Sequence, residues 1–174
     1  MSNAHDPRSL LRDVDAAFAT TGRELEPWPD PHDPWSSPAE DEYSRVTRPE
    51  RMRILSARAD AWAVALVERG LVDLEPNALV EWDARPGTII TRTDRLMPRI
   101  PDALTLVLAR SQIAGVPDAG LTIGVGEPAA LVKAIPACGC DACDCGSDEL
   151  LNELDEVMIV LLSGPCDYLG RDSR

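Results

Sequence analysis

Four cysteines within eight residues are the feature that most restricts how this chain can fold and what it can do. Their spacings are C-x-C, C-x2-C and C-x-C, and the residues are Cys138, Cys140, Cys143 and Cys145. Such spacings can fold three or four thiolates around one soft divalent ion. Gly139 favours this arrangement, because glycine tolerates the positive-φ backbone that wraps around a metal. We therefore predict a metal site at these cysteines, with zinc as the ion.

The sequence leaves the complete ligand set open. Structural zinc sites commonly use two separated knuckles, and no second C-x2-C or H-x3-H pair occurs in this chain. The candidates for a fourth ligand are Cys145, a carboxylate, a histidine of the amino-terminal arm, Cys166 or a residue of a partner chain.

Two other interpretations of the cluster stay open. In a redox interpretation, Cys140 and Cys143 form a C-x2-C pair shortly before a helix amino terminus, whose dipole favours thiolate. The local charge opposes this, because residues 134–170 hold eight acidic and no basic side chains, which disfavours a low thiol pKa. In a structural interpretation, the cysteines are small, partly buried side chains that shape a turn between the last strand and the last helix.

Length and charge exclude several classes of protein. A chain of 174 residues fits one ordinary domain, and a formal net charge of −13 disfavours nucleic acid and membrane surfaces as partners. The longest apolar run, Val157–Leu162, is much shorter than the ~20 residues of a membrane span, and no secretory signal is recognisable. We expect a cytoplasmic protein with reduced thiols, and a protein is the macromolecular partner that remains possible.

Catalytic motifs are weak throughout the chain. His5 and His32 both lie in segments expected to be irregular, so the sequence assembles no nucleophile with a histidine base. The G-x-G-x-x-A pattern at Gly124–Ala129 lacks a surrounding βαβ unit and indicates a glycine-bearing strand end. These observations favour a non-enzymatic domain.

The chain divides into three segments by composition: residues 1–36, residues 37–166 and a polar tail at 167–174. The first segment begins with a helix over Pro7–Thr21 that Asp6 caps. It continues into an arm over Pro27–Pro38 that holds five prolines and two tryptophans. This arm is either an interaction adaptor that presents its tryptophans or a loop that buries them against the domain.

The middle segment holds the regular structure. Capping boxes at Ser37–Glu40 and Thr47–Glu50 predict two helix starts, and the second predicts a long helix that ends before Gly70. Charged side chains on that helix, such as Arg51 and Arg58, are expected on its solvated face.

A switch to period-two alternation after this helix predicts strands. We expect a hairpin that turns at Arg85–Gly87, a strand near Leu104–Ala109, a turn at Asp118–Gly120 and further strands up to Ile135. A final helix is expected from Ser147. The predicted fold is α+β, with a small, mostly antiparallel sheet of four to five strands packed against a long central helix, a C-terminal helix and an N-terminal helix.

Two segments together resemble a family of proteins of unknown function that is found mainly in actinobacteria. The first is Tyr43–Arg51, which reads YSRVTRPER, and the second is Pro136–Asp144, which reads PACGCDACD. Both are followed by helices in the same order as in that family. The resemblance implies the same single domain over about Tyr43–Gly164 and carries over Cys138, Cys140 and Cys143. It does not carry over Cys145, and it implies no activity, substrate or partner.

Overall fold

The computed structural model describes residues 6–163, and within them the chain forms three α-helices and one five-stranded sheet. The first helix, α1, spans Pro7–Thr21, as predicted. The Asp6 side chain accepts a hydrogen bond from the Arg8 amide and caps its start, and Gly22 follows its end. Leu10 and Val14 fix α1 to the main core, because both are fully buried there.

The long central helix begins later than predicted. Thr47 does not cap it, because the amide and the hydroxyl of Thr47 both donate hydrogen bonds to the Asp141 carboxylate. Arg48 adopts a left-handed backbone with φ of 53°, and a 3-10 turn follows over Pro49–Arg53. The helix proper, α2, spans Ile54–Glu68. Thr47, which the local pattern predicts as a helix cap, therefore makes a long-range contact with Asp141 instead.

The other predicted capping box is displaced as well. A short 3-10 turn spans Glu40–Ser44, and the Ala39 amide at its start donates a hydrogen bond to the Glu42 carboxylate. Only the half of the box in which a carboxylate accepts from the N-cap amide forms, and it uses Ala39 and Glu42 in place of Ser37 and Glu40.

An antiparallel meander of five strands packs beside the helices, which confirms the predicted α+β class and strand number. The strand order across the sheet follows the order along the chain, and every neighbouring pair is antiparallel. The strands are β1 Val72–Glu75, β2 Ile90–Pro98, β3 Leu106–Ile113, β4 Val116–Val125 and β5 Ala130–Ile135. The last helix, α3, spans Ser147–Ser163 and begins where the sequence predicts.

The predicted hairpin at Arg85–Gly87 is wrong. Its first arm forms no strand, and Trp82 makes only an isolated bridge to Ala129. Instead, β2 pairs with β1, a four-residue strand that the alternation pattern does not reveal. The alternating apolar residues have a different role, because Val80 and Trp82 pack against the face of the sheet that the helices leave uncovered.

Glycines in β4 make room on this second face. A Cβ atom at Gly124 would lie 2.7 Å from the Trp82 ring, so only glycine leaves room for the indole against the strand. Asp118–Gly120, predicted as a turn, lies inside β4. The turn between β3 and β4 occurs instead at Ala114 and Gly115, both with positive φ.

The three helices bury the other face of the sheet in the main core. Trp62 and Leu66 of α2 are completely buried, as are Leu154 and Met158 of α3. None of the described helices in residues 6–163 is both long enough and apolar enough to cross a membrane.

Arg58 of α2 is buried and Arg51 of the preceding turn is half-buried, contrary to the expected solvated face. The Arg58 side chain is 6% exposed and pairs with Asp15 and Asp155. The Arg51 side chain is 19% exposed and pairs with Asp144. A guanidinium can be buried when it forms an ion pair with a carboxylate. These arginines therefore make tertiary contacts and do not form a solvent-exposed face.

Within the arm, the two tryptophans differ sharply in environment. Trp28 is partly buried against the main core, and its indole Nε1 donates a hydrogen bond of 2.9 Å to Asp144. The Ser147 amide donates to the Trp28 carbonyl at 3.0 Å, which ties the arm to the start of α3. Trp35 is 93% exposed.

The domain boundary at residue 37 stays a prediction, and the predicted tail at 167–174 lies outside the described residues.

Gly146 is the position that lets the arm pass. Its φ is +85°, and a Cβ there would lie 2.6 Å from the Asp30 amide nitrogen and 2.9 Å from the Pro29 carbonyl carbon. Both the backbone conformation and the space therefore require glycine.

Replacing Trp28 with alanine is expected to lower the free energy of unfolding by about 3 kcal/mol, because a large packed side chain and a hydrogen bond to a buried carboxylate are lost. The matched variant Trp35→Ala is expected to change it by less than about 0.5 kcal/mol. Urea unfolding followed by circular dichroism measures both. Equal effects of the two substitutions would contradict the docked position of Trp28.

Candidate metal centre

The structure brings three of the four predicted metal ligands together. The Sγ atoms of Cys138, Cys140 and Cys143 all lie within 4.8 Å of one another, in the loop that joins β5 to α3. Cys140 is buried, whereas Cys138 and Cys143 are exposed. Within residues 6–163, no further histidine, cysteine or carboxylate belongs to this group.

Gly139 lets the cysteine loop pass close to β3, because it has no side chain. A Cβ at this position would lie 2.6 Å from Cγ2 of Ile113, at the end of β3. Its φ lies outside the left-handed region, so the positive-φ role that the sequence suggested is wrong. The close approach of the loop to β3 holds Cys138 and Cys140 at the edge of the sheet.

The thiols of Cys138 and Cys143 differ in acidity because each bonds differently to Cys140. Cys138 Sγ lies 3.1 Å from Cys140 Sγ. The pKa of Cys138 is lowered by the Cys140 backbone amide and then by the Cys140 thiol. The pKa of Cys143 is raised to about 12 by its bond to the Cys140 thiol, by burial and by Cys138. Cys138 therefore ionises more readily than Cys143.

Cys145 stands apart from this group. Its Sγ lies 3.4 Å from the Cys143 carbonyl oxygen, and it lines a separate surface cleft beside Leu11 and Ile159. Burial, followed by the nearby Glu149 carboxylate, raises the pKa of Cys145. The ligand role predicted for it stays a prediction.

Of the other candidate ligands, His32 lies in the part of the chain that the structure describes. His32 in the arm pairs with Asp30, with Nδ1 3.2 Å from the carboxylate. Cys166 lies outside the described residues.

The carboxylate of Asp141 joins the two sequence segments that define the resemblance. It accepts hydrogen bonds from the Thr47 amide at 2.6 Å, the Thr47 hydroxyl at 2.7 Å and Arg45 Nε at 2.7 Å. The Asp141 amide donates in return to the Arg45 carbonyl at 2.8 Å. Burial opposes ionisation of this carboxyl group, but the bonds from Thr47 and Arg45 outweigh it and lower its pKa to about 2.

Asp144 joins the same loop to the arm and to the turn before α2. Its side chain is 1% exposed and accepts hydrogen bonds from the Trp28 indole, the Gly146 amide and the Arg51 guanidinium. Arg51 also stacks on Trp28, with its guanidinium carbon 4.8 Å from the ring centroid. A buried carboxylate with these partners anchors the loop on its second side.

These contacts reduce the electrostatic effect of the neighbouring acidic residues on the thiols. The acidic residues on either side of Cys143 are paired with Arg45 and Arg51, which lie more than ninety positions earlier in the chain. Sequence reasoning missed both arginines and Thr47 as parts of the site. The available signal was that all three belong to the YSRVTRPER segment that accompanies the cysteine motif.

A cleft of about 530 Å³ lies beside the cysteines on the sheet face that the helices leave uncovered. Cys138 and Cys140 form part of its wall, together with Tyr43 and Pro86.

The G-x-G-x-x-A pattern lies elsewhere, in β4 and the β4–β5 turn, where Gly126 has a φ of +86°. This pattern is a strand end, as predicted from the sequence.

Comparison with known proteins assigns the chain to a family. A model of a family of unknown function, DUF6226, matches residues 14–171. The chain belongs to this family. The match covers all the strands, α2, α3 and the cysteine loop, so the paired contacts of Asp141 and Asp144 lie within the family domain. No curated protein matches the chain, and no solved structure does.

Asp141→Asn is expected to destabilise the metal-free protein at pH 7 by roughly 1–2 kcal/mol, a figure already reduced for solvent screening. Because the folded-state pKa lies below the unfolded value, this contribution is present above about pH 5 and is lost as the pH falls towards 2. Urea unfolding of the parent and the variant at pH 7 and pH 3, with a chelator present, measures the change.

Asp102→Asn is the control, because Asp102 is an exposed aspartate far from the loop in sequence. A difference between the parent and Asp141→Asn that stays constant from pH 7 to pH 3 would contradict the assigned role of the Asp141 carboxylate.

Proposed function

We propose that this protein is a non-enzymatic, metal-bearing domain in which Cys138, Cys140 and Cys143 bind one zinc ion. The observation that carries the proposal is the mutual approach of three Sγ atoms to within 4.8 Å. Tetrahedral zinc with Zn–S bonds of about 2.3 Å holds its sulfurs about 3.8 Å apart. Side-chain rotations of an ångström or so therefore convert the observed arrangement into a coordination shell.

The chemistry of the donors favours zinc over harder cations. Thiolates are soft ligands, and calcium or magnesium would require oxygen donors. The nearest carboxylates, Asp141 and Asp144, are engaged by Arg45, Thr47, Arg51 and Trp28. Bound zinc also supplies the positive charge that lets closely spaced thiols ionise together. Reduced thiols of this kind agree with a cytoplasmic location.

The number of protein ligands separates two forms of the proposal. Three thiolates leave one coordination position for a solvent molecule or another ligand, as in zinc sites that exchange ligands. Four thiolates, including Cys145, would require its Sγ to leave the Cys143 carbonyl and turn towards the cluster. We favour three, because Cys145 lies outside the group that the other sulfurs form.

Protein purified without a chelator is expected to hold about one zinc ion per chain, measured by elemental mass spectrometry against protein concentration. Cys143→Ser is expected to lower this ratio well below one, because only two thiolates remain. Cys145→Ser should retain the ion and the thermal stability of the parent.

Loss of zinc in Cys145→Ser would show that the four-thiolate form is correct. A parent protein that holds no stoichiometric metal, and whose melting temperature a chelator leaves unchanged, would contradict the metal proposal altogether.

A redox role is the second candidate, supported by one specific distance. Cys138 Sγ and Cys140 Sγ are 3.1 Å apart, so a movement of about 1 Å would bring this C-x-C pair to the S–S length of a disulfide. The pair would pass two electrons and two protons to a disulfide substrate and form an intramolecular disulfide. The raised pKa of Cys143 makes it a poor attacking thiol, which favours Cys138 with Cys140 over the Cys140 and Cys143 pair suggested by the sequence.

Metal-free protein treated with oxidised glutathione distinguishes the two roles. The redox role predicts a Cys138–Cys140 disulfide in peptide mass spectra, reversible by dithiothreitol, and its absence in Cys140→Ser. Zinc-loaded protein that resists oxidation, together with metal-free protein that gives only mixed disulfides, would contradict the redox role.

A further inference from the structure

The cleft beside the cysteines has the composition of a binding site for an uncharged molecule. Its volume of about 530 Å³ lies in the range of small-molecule pockets. The described residues that line it include no aspartate, glutamate, lysine, arginine or histidine, and their only ionisable side chains are the two thiols and the phenol of Tyr43. This contrasts with a chain in which 27% of residues are charged.

Thr122 supplies an unsatisfied polar group in the wall of this cleft. The residue is 1% exposed, and its Oγ1 atom is buried without a hydrogen-bond partner among the described residues. Its neighbours in β4, Leu121 and Ile123, belong to the main core on the helical face. Because side chains alternate along a strand, Thr122 points to the opposite face, where the cleft lies.

The residues paired with Thr122 on the neighbouring strands are small. Its cross-strand partners are Ala109 on β3 and Ala134 on β5. Gly120 lies two residues before it on the same face and also lines the cleft. A buried hydroxyl without a partner costs about 1–3 kcal/mol, and such groups are rare in native proteins. Valine would fill the same space in a strand without that cost.

We infer that this cleft binds a small, uncharged organic molecule, with a carbonyl or hydroxyl group that bonds to Thr122 Oγ1. The ligand body lies against the apolar wall that includes Ile113 and Leu131, and it reaches the cysteine loop at Cys138 and Cys140. An anion is disfavoured because the cleft offers no cation and the chain carries a net charge of −13. An organic cation is disfavoured because the lining offers no carboxylate, whereas the thiols of Cys138 and Cys140 suit a soft metal ion. The site does not require the proposed zinc ion.

Benzamide, benzyl alcohol and benzoate test this inference in the full chain by amide chemical-shift titration. Benzamide and benzyl alcohol are expected to bind saturably and to shift the amides of Gly120 and Thr122 together with those of the cysteine loop. Benzoate has the shape of benzamide but carries a charge, and it is expected to bind at least about tenfold more weakly.

Two variants and one control test whether the probes bind in this cleft and bond to Thr122. Thr122→Val is expected to weaken benzamide at least about threefold without lowering the melting temperature, because one net hydrogen bond is lost. Ala134→Leu, at an exposed position on β5 opposite Thr122, is expected to obstruct this part of the cleft and weaken benzamide binding. Thr93→Val, a buried threonine on β2 outside the cleft, should bind as the parent does.

The inference is overturned if neither neutral probe shifts the cleft amides, if benzoate binds as well as benzamide, or if Ala134→Leu binds like the parent. Cys143→Ser separates this failure from failure of the metal proposal, because Cys143 is a proposed zinc ligand that does not line the cleft. That variant is expected to lose zinc and keep benzamide binding.

Discussion

The pairing of two aspartates with two distant arginines holds the cysteine loop in place. Asp141 binds Arg45 and Thr47, and Asp144 binds Arg51 and Trp28. Asp144 is buried, so removing one of its partners would leave an uncompensated charge in a poorly solvated position. The loop, the turn before α2 and the arm therefore depend on one another, and the spacing of the thiols depends on all three.

This arrangement explains how an acidic loop can carry metal-binding or reactive thiols. The two aspartates beside Cys143 are turned towards basic and hydrogen-bonding partners, which screens their repulsion of a thiolate. The three sulfurs then face one another with little competition from oxygen ligands. The cleft at Cys138 and Cys140 borders the same loop, so a ligand bound there and an ion held by the cysteines would be neighbours.

Local patterns predicted the elements whose ends are decided locally. Helix α1 begins and ends at the predicted residues, because Asp6 and Pro7 act on their own turn. The start of α2 was wrong because Thr47 bonds to Asp141, and the hairpin was wrong because Trp82 packs on the sheet from outside. At the site, the grouping of Cys138, Cys140 and Cys143 follows from their spacing, whereas the position of Cys145 depends on how the backbone turns after Cys143.

By itself, the sequence determined that the chain is an α+β domain of a recognisable family with a crowded, acidic cysteine loop. Short-range spacing and capping carry that information, because they act within one turn or one strand. Only the tertiary structure decided which acids remain free, which thiols meet and where a cleft opens. Those outcomes depend on residues such as Arg51 and Thr122 that lie far away in sequence or on another strand, and a linear pattern does not specify their positions.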